Sequence, residues 1–214
     1  SLLATLAGKT IIEVDEDNYT LRAFTDDQGK VLLSPDPDER DFFEGLGTPF
    51  GQEIGGDTVE FSFDAEAVPS ANATTLTLQA TVPVFVGSGD SEIASEGALA
   101  LGQDFTMGDY TITLSRIGVS QWDDSLVGFS FTSSDGFVPL KAMRFFDAEG
   151  NELESELGGS SKSTSNGVST YEQTFNVEVA VDAAVTLKIE YFTTVETVDV
   201  EIDMTFGLGG GAID

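Results

Sequence analysis

Hydrophobic residues recur at every second position over long stretches of this chain, and that period decides most of what it can fold into. Leu76, Leu78, Ala80, Val82, Val84 and Val86 share one parity, as do Phe175, Val177, Val179 and Val181. Val185, Leu187, Ile189 and Tyr191 form another such run, and Val198, Val200, Ile202, Met204 and Phe206 a fourth. Thr, Glu, Asp and Lys fill the alternate positions. Side chains alternate between the two faces of a strand, so this pattern buries one face of an antiparallel sheet and leaves the other wet. Shorter runs at Val59-Phe61-Phe63, Tyr110-Ile112-Leu114 and Val127-Phe129-Phe131 behave alike. Asp135-Gly136, Glu149-Gly150 and Asn166-Gly167 punctuate them with turn chemistry. The expectation is an all-β protein.

One short helix is expected over 36–45. Asp36 caps it, Pro37 suits its first position, Glu39 completes the capping box and Gly45 ends it, with Phe42, Phe43 and Leu46 closing one end of a sandwich.

The chain also reads as a duplication. Phe24-Thr25-Asp26-Asp27-Gln28-Gly29-Lys30 lies over Phe145-Phe146-Asp147-Ala148-Glu149-Gly150-Asn151, residues 60–63 over 174–177, and 75–79 over 186–190, in the same order. With Gly87-Ser88-Gly89-Asp90-Ser91-Glu92 as a polar linker, this predicts two tandem antiparallel β-sandwiches: 1–88, short at its start, and 92–207, with a glycine-rich tail over 208–214. Far fewer residues precede Phe24 than precede its counterpart. Truncation accounts for that, as does a shorter variant of the sandwich or completion by a strand from another molecule. The chain opens on Ser1, as a processed form or a piece cut from a longer chain does, and the glycine-rich tail is expected to be either a disordered end or a tether to a further domain or anchor.

Charge narrows the function. Nine Lys and Arg face 38 Asp and Glu, a net charge of −29. Nucleic acid and anionic lipid are poor partners for such a surface, because both are held by cationic side chains. In strong salt the Debye length falls to about 3 Å, so an acidic surface of this kind suits a saline medium. There is no His and no Cys, which removes His-based triads, thiolate zinc sites and disulfides. The chain is therefore read as non-catalytic. Hydrolysis by a carboxylate pair survives as a minor alternative; it needs two carboxylates roughly 5–10 Å apart in a cleft.

Calcium is the one cofactor that the acidic loops suggest, since it takes six to eight oxygen ligands. The clusters are Asp15-Glu16-Asp17-Asn18, Asp26-Asp27, Asp36-Asp38-Glu39, Asp90-Glu92, Asp123-Asp124 and Asp147-Glu149. Asp15, Asp17 and Asn18 are the favoured ligands. Asn18-Tyr19-Thr20 and Asn72-Ala73-Thr74 fit the N-glycosylation pattern. Trp122 is read as a lid on the core rather than a sugar platform, and Lys141 and Arg144 as neutralising neighbouring acids.

The alternation, the Phe-Asp-Ala-Glu-Gly hairpin at 146–150 and the closing strand pair at 184–206 resemble immunoglobulin-like sandwich modules of bacterial and archaeal surface proteins. The resemblance is architectural and carries no functional residues over. It implies an extracellular or cell-surface location, with the periplasm also fitting, and a spacer, adhesive or assembly role. The expected function is a structural module that pairs with itself through strand edges or with other surface proteins. A calcium-supported module binding glycan or protein is the alternative, and a virion component is a variant of the first reading. No insertion into a membrane is expected.

Overall fold

A computed structural model describes residues 2–15, 18–33, 56–61, 67–120 and 126–208. Over these residues the protein is all-β, built from several antiparallel sheets, with no helix and no barrel. The strands are β1 (Leu2–Thr5), β2 (Thr10–Val14), β3 (Thr20–Asp26), β4 (Thr58–Phe61), β5 (Thr75–Ala94), β6 (Asp104–Met107), β7 (Tyr110–Val119), β8 (Val127–Ser133), β9 (Leu140–Phe146), β10 (Glu152–Leu153), β11 (Ser155–Ser165), β12 (Val168–Val177) and β13 (Thr186–Gly207). The helix expected over 36–45, with Phe42, Phe43 and Leu46, lies outside the described residues.

The chain forms two compact units, Ser1–Val86 with Glu196–Asp214, and Gly87–Val195. This differs from the expected 1–88 and 92–207. The last strand contributes residues to both units, and Gly87–Glu92 is strand rather than linker. The glycines that read as flexible are there for packing. A Cβ on Gly87 would collide with the ring of Phe192, which is buried, and one on Gly89 would collide with the Thr193 hydroxyl.

In the first unit β1 pairs with β4, and β3 lies against β5 with Phe24 opposite Leu78 and Leu21 opposite Ala80. The even positions of β5 from Leu76 to Val86 are all buried, as their parity requires, and form a core with Ile11, Val14, Phe24, Leu32 and Ile202. The other face is polar from Thr75 to Thr81, where Gln79 Nε2 donates to Asp203 at 3.0 Å and Thr81 Oγ1 to Glu201 at 2.9 Å.

The second unit contains a five-stranded sheet in the order β11-β12-β8-β7-β6. Its inner face meets β9 and β13. Phe105, Ile112, Leu114, Phe129, Phe131 and Val177 from the sheet pack with Met143, Phe145, Leu187 and Ile189. Phe145 lies 5.3 Å from Phe129 and 5.9 Å from Phe175, centroid to centroid, and Phe175 and Phe105 each stand edge-on to Phe131. Aromatic pairs prefer such tilted and edge-on arrangements. The run ending at Val181 stops earlier than its alternation suggests, since β12 ends at Val177 and Val181 is exposed.

The two runs at 185–191 and 198–206 are one strand whose buried parity changes. Val185, Leu187 and Ile189 are buried at odd positions, whereas Phe192 and Ile202 are buried at even ones. The register against β9 shifts between Glu190 and Tyr191, where Lys141 of β9 is the extra, unpaired residue, and the buried parity of β13 changes beside this bulge.

Candidate functional site

Several of the acidic clusters are occupied by the chain's own donors. Asp26 is almost wholly buried. Its Oδ1 accepts from the amides of Gln28 and Lys30, and its Oδ2 from that of Ser70. Burial pushes its pKa up, but the Ser70 amide and hydroxyl and the amides of Lys30 and Gln28 outweigh it and hold the group down at about 2. Asp27 is lowered first by the hydroxyl of Thr74, which it accepts at 2.6 Å.

Asp147 repeats the Asp26 geometry. Its Oδ1 accepts from the amides of Glu149 and Asn151, and its Oδ2 from the Asn151 side chain, which does most to lower its pKa. In both loops the glycine after the turn, Gly29 or Gly150, has a φ above +80° and donates back to the aspartate carbonyl. Both aspartates act as turn builders, by the side-chain-to-backbone bonding that Asp offers locally. The matched hairpins thus have the same form. In the strand pairing, however, Phe24 faces Leu78 and Phe145 faces Leu187, which equates Leu78 with Leu187 rather than with Ile189.

Of the favoured calcium ligands, Asp15 receives the Asn18 side-chain amide on both oxygens, at 3.0 and 2.9 Å. Asp17 lies outside the described residues, as do Asp36, Asp38, Glu39, Trp122, Asp123 and Asp124. Among the described residues no group of three or more acidic side chains is arranged to hold a metal ion. Asp90 and Glu92 face Lys141 at 2.5 Å and Lys188 at 3.6 Å, and Arg144 pairs with Glu190 at 3.1 Å, so Lys141 and Arg144 do neutralise acids. Lys9 and Arg22 pair with Glu196 and Glu201. Asn72 sits on an exposed turn.

Two features stand apart from this charge pairing. The first is the edge formed by β11, an eleven-residue strand that among the described residues pairs with β12 alone. It joins β12 through Asn166-Gly167, both at positive φ, the two-residue hairpin turn that this dipeptide favours. The second is a concavity of about 390 Å³ on the outer face of the same sheet. Gly159, Thr174, Ser130 and Arg116 lie in register across β11, β12, β8 and β7, beside the row formed by Asn176, Gly128 and Gly118. Bulges at Gly158 and Ser115 flank it. A further hollow of about 520 Å³ brings Asp109 and Asp135 together with Tyr110 and Phe192, and Asp135 accepts from Ser134 Oγ at 2.9 Å.

Sequence reasoning missed the outer-face concavity. The available signal was glycine inside strand patterns at 118, 128 and 158–159, which marks bulges and close approach. No family model, curated protein or solved structure matches this chain. No helix among the described residues is long and apolar enough to cross a membrane.

Proposed function

We propose that the protein is a non-catalytic structural module of two immunoglobulin-like sandwiches, working outside the cell in a saline medium and joining copies of itself through strand edges. The β11 edge carries this reading. Its sequence, Ser-Glu-Leu-Gly-Gly-Ser-Ser-Lys-Ser-Thr-Ser, is almost wholly exposed, has no proline, and bears two opposite charges in eleven residues. A long exposed edge offers a row of backbone donors and acceptors to an incoming strand, and natural monomers usually block such edges with proline, repeated lysine or cover.

The charge of −29 opposes contact between copies in dilute buffer and is screened in strong salt, so association is salt-promoted. Light scattering after size exclusion, at low and at seawater-strength salt, with millimolar calcium and with a chelator, tests this. Growth in mass at high salt is expected, and its loss in the double substitution Ser161→Lys/Ser163→Lys, whose sites are solvent-exposed and leave the core untouched. A strictly monomeric wild type at every salt and calcium level overturns the reading.

A further inference from the structure

We propose that the outer-face concavity around Asn176 and Arg116 is a binding site for a saccharide that carries a carboxylate, of the uronic acid class. Three observations meet there. Asn176 is 4% exposed, lines the concavity, and makes no side-chain hydrogen bond to any described residue. Its amide atoms are not sealed from solvent, so they open into the hollow, where a partner supplied from outside can meet both the oxygen and the nitrogen. The fold makes room for it: a Cβ on Gly158 would overlap the Asn176 amide, and Gly118 and Gly159 leave open space where side chains would stand.

Arg116 supplies the second observation. The chain has few cations, and among the described residues the others engage a carboxylate, a carbonyl oxygen or a ring, whereas Arg116 makes no ion pair or hydrogen bond. A guanidinium left open in the same hollow as a solvent-open amide suits a carboxylate held by two parallel bonds.

The third is the rest of the lining. Ser160, Ser161, Thr174 and Glu172 offer donors and acceptors, and among the described residues no apolar side chain larger than a methyl group faces the hollow. Its volume falls within the range of about 300–1,000 Å³ usual for small-molecule sites, but those are mostly apolar, so the ligand here is polar throughout. Arg116 and Glu172 cancel in charge. One negative group on the ligand meets the guanidinium, and hydroxyl donors meet Glu172 and the amide oxygen of Asn176. A phosphate dianion would lie against Glu172 and is disfavoured. The site stands whether or not copies of the chain associate.

The test is titration of the full chain with sodium glucuronate and with sodium galacturonate, read by the Asn176 side-chain amide resonances in proton–nitrogen spectra, with glucose and acetate as controls. A saturable shift is expected for at least one uronate, weakened at least about tenfold in Arg116→Gln through loss of the charge-assisted contact. Gly159→Leu, which fills the hollow from a position with no neighbour to displace, is expected to abolish it. Four results overturn the proposal: no saturable shift with either uronate, an equal response to glucose or to acetate alone, unchanged binding in Arg116→Gln, or amide shifts that follow protein concentration without sugar, which would mean a second copy fills the site.

Discussion

Replacing Phe145 by Leu measures how far the second unit depends on ring geometry as distinct from apolar bulk. Phe145 is fully buried, opposite Leu187, with its ring against those of Phe129 at 5.3 Å and Phe175 at 5.9 Å. Leucine keeps an apolar side chain of comparable bulk, so the change falls mainly on the two ring pairs. At about 0.5–1.5 kcal/mol for each aromatic pair, the loss is about 1–3 kcal/mol. With a urea m-value of about 2 kcal/mol/M, a 2 kcal/mol loss lowers the midpoint by about 1 M. Urea unfolding followed by far- and near-ultraviolet circular dichroism reads this directly. The same substitution in a Phe175→Leu background then loses about 0.5–1.5 kcal/mol less, because that pair is already broken. A cost below about 0.5 kcal/mol, the size of an indifferent surface change, or strict additivity in the double variant, refutes the reasoning.

Gly87→Ala drives a methyl group into the Phe192 ring and is expected to destabilise by about 1–3 kcal/mol in the same urea assay, with partial recovery in a Phe192→Leu background; an unchanged midpoint would return Gly87 to the role of a flexible joint. Asp26 makes stability depend on acid. Its pKa is about 2 when folded and about 3.9 when unfolded, so its contribution is complete above pH 4 and is lost as the pH falls toward 2. Asp26→Asn therefore lowers the melting temperature at neutral pH, and the gap from wild type closes as the pH falls from 4 to 2; a gap constant across that range counts against the assignment.

Period-two alternation placed the strands well because burial on one face is a local property of each segment. Leu76 to Val86 are buried at every even position, and Asn166-Gly167 makes the turn its chemistry demands. Pairing order was not legible, since nothing within 87–92 distinguishes a glycine that bends from one that lets Phe192 close in. The Asp26 and Asp147 loops looked like cation sites by composition, yet their carboxylates are consumed by backbone amides of residues close in sequence and, for Asp26, by Ser70. The outer-face concavity depends on residues from four strands and on two bulges, and no single stretch of sequence records that register.

The change of buried parity along β13, between Ile189 and Phe192, sets a rule for how this chain can vary. The change falls beside the bulge at Lys141 of β9: upstream, Leu187 and Ile189 are buried at odd positions, and downstream, Phe192 and Ile202 are buried at even ones, with Val198, Val200, Met204 and Phe206 half-buried on the same parity. Losing or gaining one residue in the polar stretch 193–197 would undo that phase and turn Val198, Val200, Ile202, Met204 and Phe206 outward, while Glu and Asp turned in. A change of two residues would preserve facing and alter only reach. Length variation along this strand is therefore constrained to even steps, a parity rule that a survey of tolerated insertions would expose without any knowledge of what the protein binds.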